Sequence, residues 1–67
     1  MMAVIEMTGR MREALAECIE YTDQKRLYWW RKASMKKLVE LGLAENGHSR
    51  CFLPTQAGRD YITRASE

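Results

Sequence analysis

The chain has 67 residues, with 11 Lys or Arg against 9 Asp or Glu, for a formal charge of +2. That length holds one small domain over 1–67, burying only about 60% of its unfolded surface, which leaves little room for a spacious catalytic pocket. A hydrophobic fraction of 46% argues against intrinsic disorder.

The opening Met1-Met2-Ala3-Val4-Ile5 ends at Glu6 and is too short for a signal-peptide core or a membrane span. Thr8-Gly9 then opens a first helix, predicted over 8–21. Met7, Met11, Ala14, Leu15, Cys18 and Thr22 recur at three- and four-residue steps and share one face. Glu13, Glu17 and Glu20 fall opposite; Glu13 and Glu17 are like charges one turn apart, which suits an exposed face.

Asp23 is suited to cap a second helix, predicted over 24–32, by accepting from the first-turn amides. This segment mixes Leu27, Tyr28, Trp29 and Trp30 with four cations. Large adjacent aromatics supply core area in a small domain. Consecutive helical positions differ by about 100°, so one tryptophan must point outward, to stack on a base or sugar or to pack a partner subunit. Ser34 caps a third helix over 34–41, with Met35, Leu38, Val39 and Gly42 on one side and Lys36, Lys37 and Glu40 on the other. Gly42 suits the left-handed residue that ends a helix. No Gly or Pro lies between Gln24 and Leu41, so a continuous helix is the rival to a break near Lys32–Ser34.

After Gly42 the pattern changes to a hairpin over 43–53. Leu43-Ala44-Glu45 forms one strand, Asn46-Gly47 is a two-residue turn signal, and Arg50-Cys51-Phe52-Leu53 returns. Pro54 ends that strand or sits on an edge, where its missing amide costs no ladder bond. Thr55 caps a last helix over 55–65, whose Tyr61 and Ile62 close over the core.

Chemistry-bearing motifs are few. Cys18 and Cys51 form no CxxC pair and read as reduced, cytosolic thiols. His48 and Cys51 fall two ligands short of a zinc site, and no phosphate loop or catalytic triad occurs. With one His there is little acid–base chemistry to assign, so the reading is no enzyme, no cofactor and no metal.

Charge is unevenly distributed. Residues 1–23 carry net −3, and residues 40–67 net −1. Residues 24–39 hold Lys25, Arg26, Arg31, Lys32, Lys36 and Lys37 with no acid, net +6. Such a cationic middle suits a polyanion-binding face, or simply a solvated surface.

Two stretches resemble the winged helix-turn-helix family. Ser34-Met35-Lys36-Lys37-Leu38-Val39-Glu40-Leu41-Gly42-Leu43 is similar to the end of that family's recognition helix and its exit into the wing. Thr55-Gln56-Ala57-Gly58-Arg59-Asp60-Tyr61-Ile62 resembles the Thr-x-x-Gly-Arg segment after the second wing strand. With the hairpin between them they cover about half the chain. Pro54 departs from the pattern, since an apolar strand residue commonly stands there.

The resemblance implies a mainly α fold with a two-stranded β-hairpin wing, binding double-stranded DNA. The third helix would enter the major groove presenting Ser34, Lys36 and Lys37, with Arg31 and Lys32 just before it and Arg50 flanking from the wing. It implies a cytoplasmic, nucleoid-associated regulator of bacterial or phage type. One recognition helix makes few contacts, so a homodimer is expected, through Tyr28, Trp29 or the Met-rich N-terminus. The competing reading is a winged-helix module that binds protein, such as a phage-encoded inhibitor of a host complex.

Overall fold

A computed structural model of the chain describes residues 7–65. Three helices and one two-stranded antiparallel sheet follow in the order α1 (Gly9–Asp23), α2 (Lys32–Glu40), β1 (Ala44–Asn46), β2 (Phe52–Pro54) and α3 (Gln56–Ala65). The expected mixture of helices and a hairpin is present. The opening Met1–Ile5 lies outside the described residues.

The first helix begins as the sequence indicates: Thr8 is extended, and its hydroxyl accepts from the Met11 amide at 3.1 Å. Met11, Ala14, Leu15 and Cys18 are buried, which confirms the predicted apolar face. They form the core with Tyr28, Met35, Leu38, Ala44 and Phe52. Glu17 corrects the expected acidic face, because it is half-buried and accepts the Tyr28 hydroxyl at 2.9 Å.

The helix predicted over 24–32 does not form, and neither does the continuous helix over 24–41. Instead α1 ends in two reciprocal bonds, Lys25 N–H to Thr22 O at 2.9 Å and Arg26 N–H to Tyr21 O at 2.8 Å. This is the pattern of a Schellman cap, with Lys25 in the left-handed position at φ 59° that glycine usually takes. Residues 26–31 then cross the core without helical structure. Tyr28 is fully buried, and its carbonyl accepts the Phe52 amide at 2.7 Å. A helix through this stretch would forfeit both tethers, so tertiary packing overrides local propensity.

Two predicted caps change with it. Asp23 is the last residue of α1 rather than a cap, and its carboxylate accepts from Arg59 of α3 at 2.9 Å. Ser34 lies inside α2, which starts two residues earlier after Arg31, itself left-handed at φ 54°. No side chain caps that start.

The exit from α2 matches the reading from sequence. Gly42 is left-handed at φ 77°, and the bonds Gly42 N–H to Val39 O and Leu43 N–H to Leu38 O close a second Schellman cap. Thr55 joins this exit to α3: its hydroxyl donates to Gly42 O at 2.7 Å and accepts from the Gly58 amide at 3.1 Å. Gly58 is needed there because an added Cβ would collide with the Leu43 carbonyl.

The hairpin pairs Ala44 with Pro54, Glu45 with Leu53 and Asn46 with Phe52. Its connection is longer than the predicted Asn-Gly turn, running from Gly47 to Cys51 through a short 3-10 turn at His48–Arg50. Gly47 is extended (φ −98°, ψ −175°), so the turn is not centred on Asn46-Gly47. A Cβ on it would meet Cys51 Sγ at 2.8 Å, so glycine serves close approach here. The left-handed positions fall instead on Ser49 and Arg50, with φ 58° and 62°.

Tyr28→Phe, which removes the bond to Glu17, is expected to cost about 1–2 kcal/mol in urea denaturation. Tyr28→Ala is expected to cost about 3–5 kcal/mol, enough to unfold a domain this small. Equal midpoints for wild type and Tyr28→Phe would remove the hydroxyl from this account.

Alkaline pH probes the same core. Burial pushes the Cys18 thiol up to about 11 from its ordinary 9.0. Burial, together with donation to Glu17, also raises the Tyr28 phenol. The unfolded chain therefore loses both protons at lower pH than the folded one. Their contribution is intact below about pH 9 and declines as pH rises through the folded values. Urea midpoints should fall above about pH 9, and Cys18→Ala should delay that fall to about pH 10, where tyrosine begins to ionise.

Candidate nucleic-acid interface

The six cations of residues 24–39 do not form one face. Arg26 lies over the Tyr21 ring, 4.5 Å from its centroid. Arg31 turns back to α1, its guanidinium 3.5 Å from Glu13 and 3.8 Å from Glu17. Two carboxylates thus offset the Arg31 charge locally. The acidic helix and this predicted contact residue therefore share one patch.

Four predicted residues remain as cations with no ion pair among the described residues: Lys32, Lys36, Lys37 and Arg50. Lys32 and Lys36 are one helical turn apart on α2, and Lys36 and Lys37 are exposed. Ser34 is half-buried in the first turn of the helix. Arg50 arrives from the hairpin loop, and it meets Lys32 across a groove of about 320 Å³ whose other walls are Trp29 and Ser49. Sequence positions 29, 32, 49 and 50 are therefore neighbours in space.

The loop that carries Arg50 adopts a costly backbone. Two successive non-glycine residues in the left-handed region each cost roughly 1 kcal/mol. The 3-10 turn is held by Cys51 N–H to His48 O at 3.2 Å and by Gly47 N–H to Cys51 O at 2.8 Å. Cys51 is fully buried beneath it, so the tip is anchored from below.

The aromatic residues separate by role. Tyr28, expected at a subunit contact, is buried and unable to serve there. Trp29 and Trp30 are both about half exposed, so two tryptophans rather than one face outward. The non-helical crossing segment leaves both at the surface. Trp30 packs 5.4 Å from Tyr21 and 5.6 Å from Trp29, centroid to centroid, in tilted geometries. Trp29 and Ser49 are the groove residues that the site assignment from sequence left out. The exposed tryptophan was foreseen in kind, whereas Ser49 carried no signal.

Among the described residues no three of His, Cys, Asp and Glu are placed to hold a metal ion, and no helix is long and apolar enough to cross a membrane. Comparisons with protein-family models, curated proteins and solved structures found no match.

Proposed function

We propose that the chain is a small DNA-binding protein of the winged helix-turn-helix kind, a regulator of bacterial or phage type that grips duplex DNA through α2 and the hairpin. The observation that carries this reading is the meeting of Lys32 of α2 with Arg50 of the hairpin loop, with Lys36 and Lys37 exposed one turn further along the same helix, none of them engaged by an acid among the described residues. A helix fits the major groove, and unpaired Lys and Arg release counterions from phosphates. α2 then plays the part of the recognition helix and the 47–51 loop that of the wing. Most of these cations meet phosphates and supply affinity; base reading falls to Ser34, Lys36 or Lys37. Arg31 acts one step back, holding the start of α2 against α1.

The reading includes a homodimer, since one short helix offers few contacts and a second copy doubles them. Leu27 and Trp30, exposed beside the core, are the residues that such a contact would cover. The same pair favours a second reading, a protein-binding module such as an inhibitor of a host complex. Salt separates the two readings.

With four cations engaged, the logarithm of the duplex association constant should fall against log salt with a slope of about −3.6, doubled in a dimer. Lys36→Glu or Lys37→Glu should abolish binding, and Lys36→Ala should flatten the slope by about one. Fluorescence anisotropy with labelled duplex measures both. No binding at low salt, unaltered by these substitutions, would reject the DNA reading in favour of a protein partner. For the dimer, sedimentation at high micromolar concentration should show two chains per particle, and Trp30→Glu should return it to one.

A further inference from the structure

The groove between α2 and the hairpin loop has a composition that duplex phosphates alone do not call for. Its volume of about 320 Å³ lies at the lower limit of small-ligand sites, roughly 300 Å³. Its walls supply an indole, an ammonium, a guanidinium and a hydroxyl. Trp29 is 47% exposed, with Trp30 packed against its ring at 5.6 Å, which limits its freedom to turn away. Lys32 and Arg50 bring two positive charges to a site with no carboxylate among its lining residues. An aromatic plane beside paired cations is the chemistry that holds a base together with its phosphate.

Paired bases in B-form DNA are stacked inside the helix and present only their edges to the grooves. An indole face can therefore meet a base only where that base has left the stack. We infer that this groove takes one unstacked nucleotide of DNA, its base against Trp29 and its phosphate between Lys32 and Arg50. Arg50 offers a fork of donors that matches phosphate oxygens, and Lys32 acts as a point charge. Ser49, with both donor and acceptor capacity, faces the same space. The left-handed backbone at Ser49 and Arg50 sets the loop that brings both residues to the groove before any ligand arrives. An acidic peptide would use the two cations but would leave the indole plane without a stacking partner.

This inference rests on the DNA-binding reading for the macromolecule and shares Lys32 and Arg50 with it, yet it turns on Trp29 and Ser49, which that reading does not use. Lys36 and Lys37 line no part of the groove, so the two can fail separately.

The experiment uses the full chain carrying Trp30→Phe, which leaves Trp29 as the sole tryptophan. Two short duplexes of one sequence, one with a single extrahelical adenine, are titrated at low salt while Trp29 emission is followed. The bulged duplex is expected to bind about tenfold tighter and to quench Trp29 emission more strongly. Trp29→Leu, followed by anisotropy, should erase the preference while plain-duplex affinity is kept, and Trp29→Phe should retain part of it. Arg50→Gln should weaken the bulged duplex more than the plain one, without relying on a change at the aromatic.

Equal affinity for both duplexes, with Lys36→Glu abolishing both, would overturn the groove and leave the duplex reading standing. Binding of the bulged duplex without the plain one would support the groove and overturn the duplex regulator. Absence of binding to either duplex would overturn both.

Discussion

The Tyr28 hydroxyl donates to Glu17 at 2.9 Å while the carbonyl of the same residue accepts the Phe52 amide at 2.7 Å, so one residue joins α1 to the hairpin through both of its ends. Its ring fills the core and meets Tyr21 edge-on at 5.1 Å. In a domain with so thin a core, a fully buried phenol contributes a large share of the apolar area. Once Tyr28 is fixed, the rest of its segment follows. Residues on either side must run across the molecule, Trp29 and Trp30 are left at the surface, and Arg31 arrives beside Glu13 and Glu17. The direction in which α2 leaves is thereby set, and with it the placement of Lys32 opposite Arg50.

How much of this was legible from the chain depends on which residue terminates each helix. The ends of α1 and α2 share one hydrogen-bond pattern, but Gly42 announces the second and Lys25 conceals the first. A lysine in the left-handed position has no sequence signature, and the aromatic-rich stretch after it reads as helix by composition. The apolar face of α1, the exit into β1, and Thr55 as the cap of α3 were all readable, because each rests on local chemistry. The long-range tethers were not: nothing in a linear reading shows that Glu17 and Phe52 claim opposite ends of Tyr28. Asp23 illustrates the same limit, since a good capping residue became the partner of Arg59, 36 positions away.

The candidate site was readable in part for the same reason. The cationic stretch is a property of composition, and Lys36 and Lys37 face solvent as helical spacing implies. Which of the six charges stay available is a tertiary matter. Arg31 is drawn to the acids of α1, and Arg26 covers Tyr21, whereas Arg50 joins from the hairpin loop. The net +6 counted along residues 24–39 thus overstates the field on the α2 side. The surface is more local, with Lys32 and Arg50 beside the Trp29 indole at the start of α2 and Lys36 and Lys37 exposed further along the helix.

Pro54 and Tyr28 together have a consequence for how the molecule behaves in a crowd. In the β1–β2 ladder the bonds from Thr55 to Leu43 and from Gly47 to Cys51 place the Glu45–Leu53 pair among the hydrogen-bonded positions. Phe52 and Pro54 therefore direct their backbone nitrogens away from β1. The Phe52 amide is taken by the Tyr28 carbonyl, and Pro54 has no amide to offer. That edge of the sheet presents no donor on which a strand from another molecule could grow. The β2 edge of the hairpin is protected from runaway strand addition by two unrelated devices: a ring closure in one residue and a crossing segment at the other.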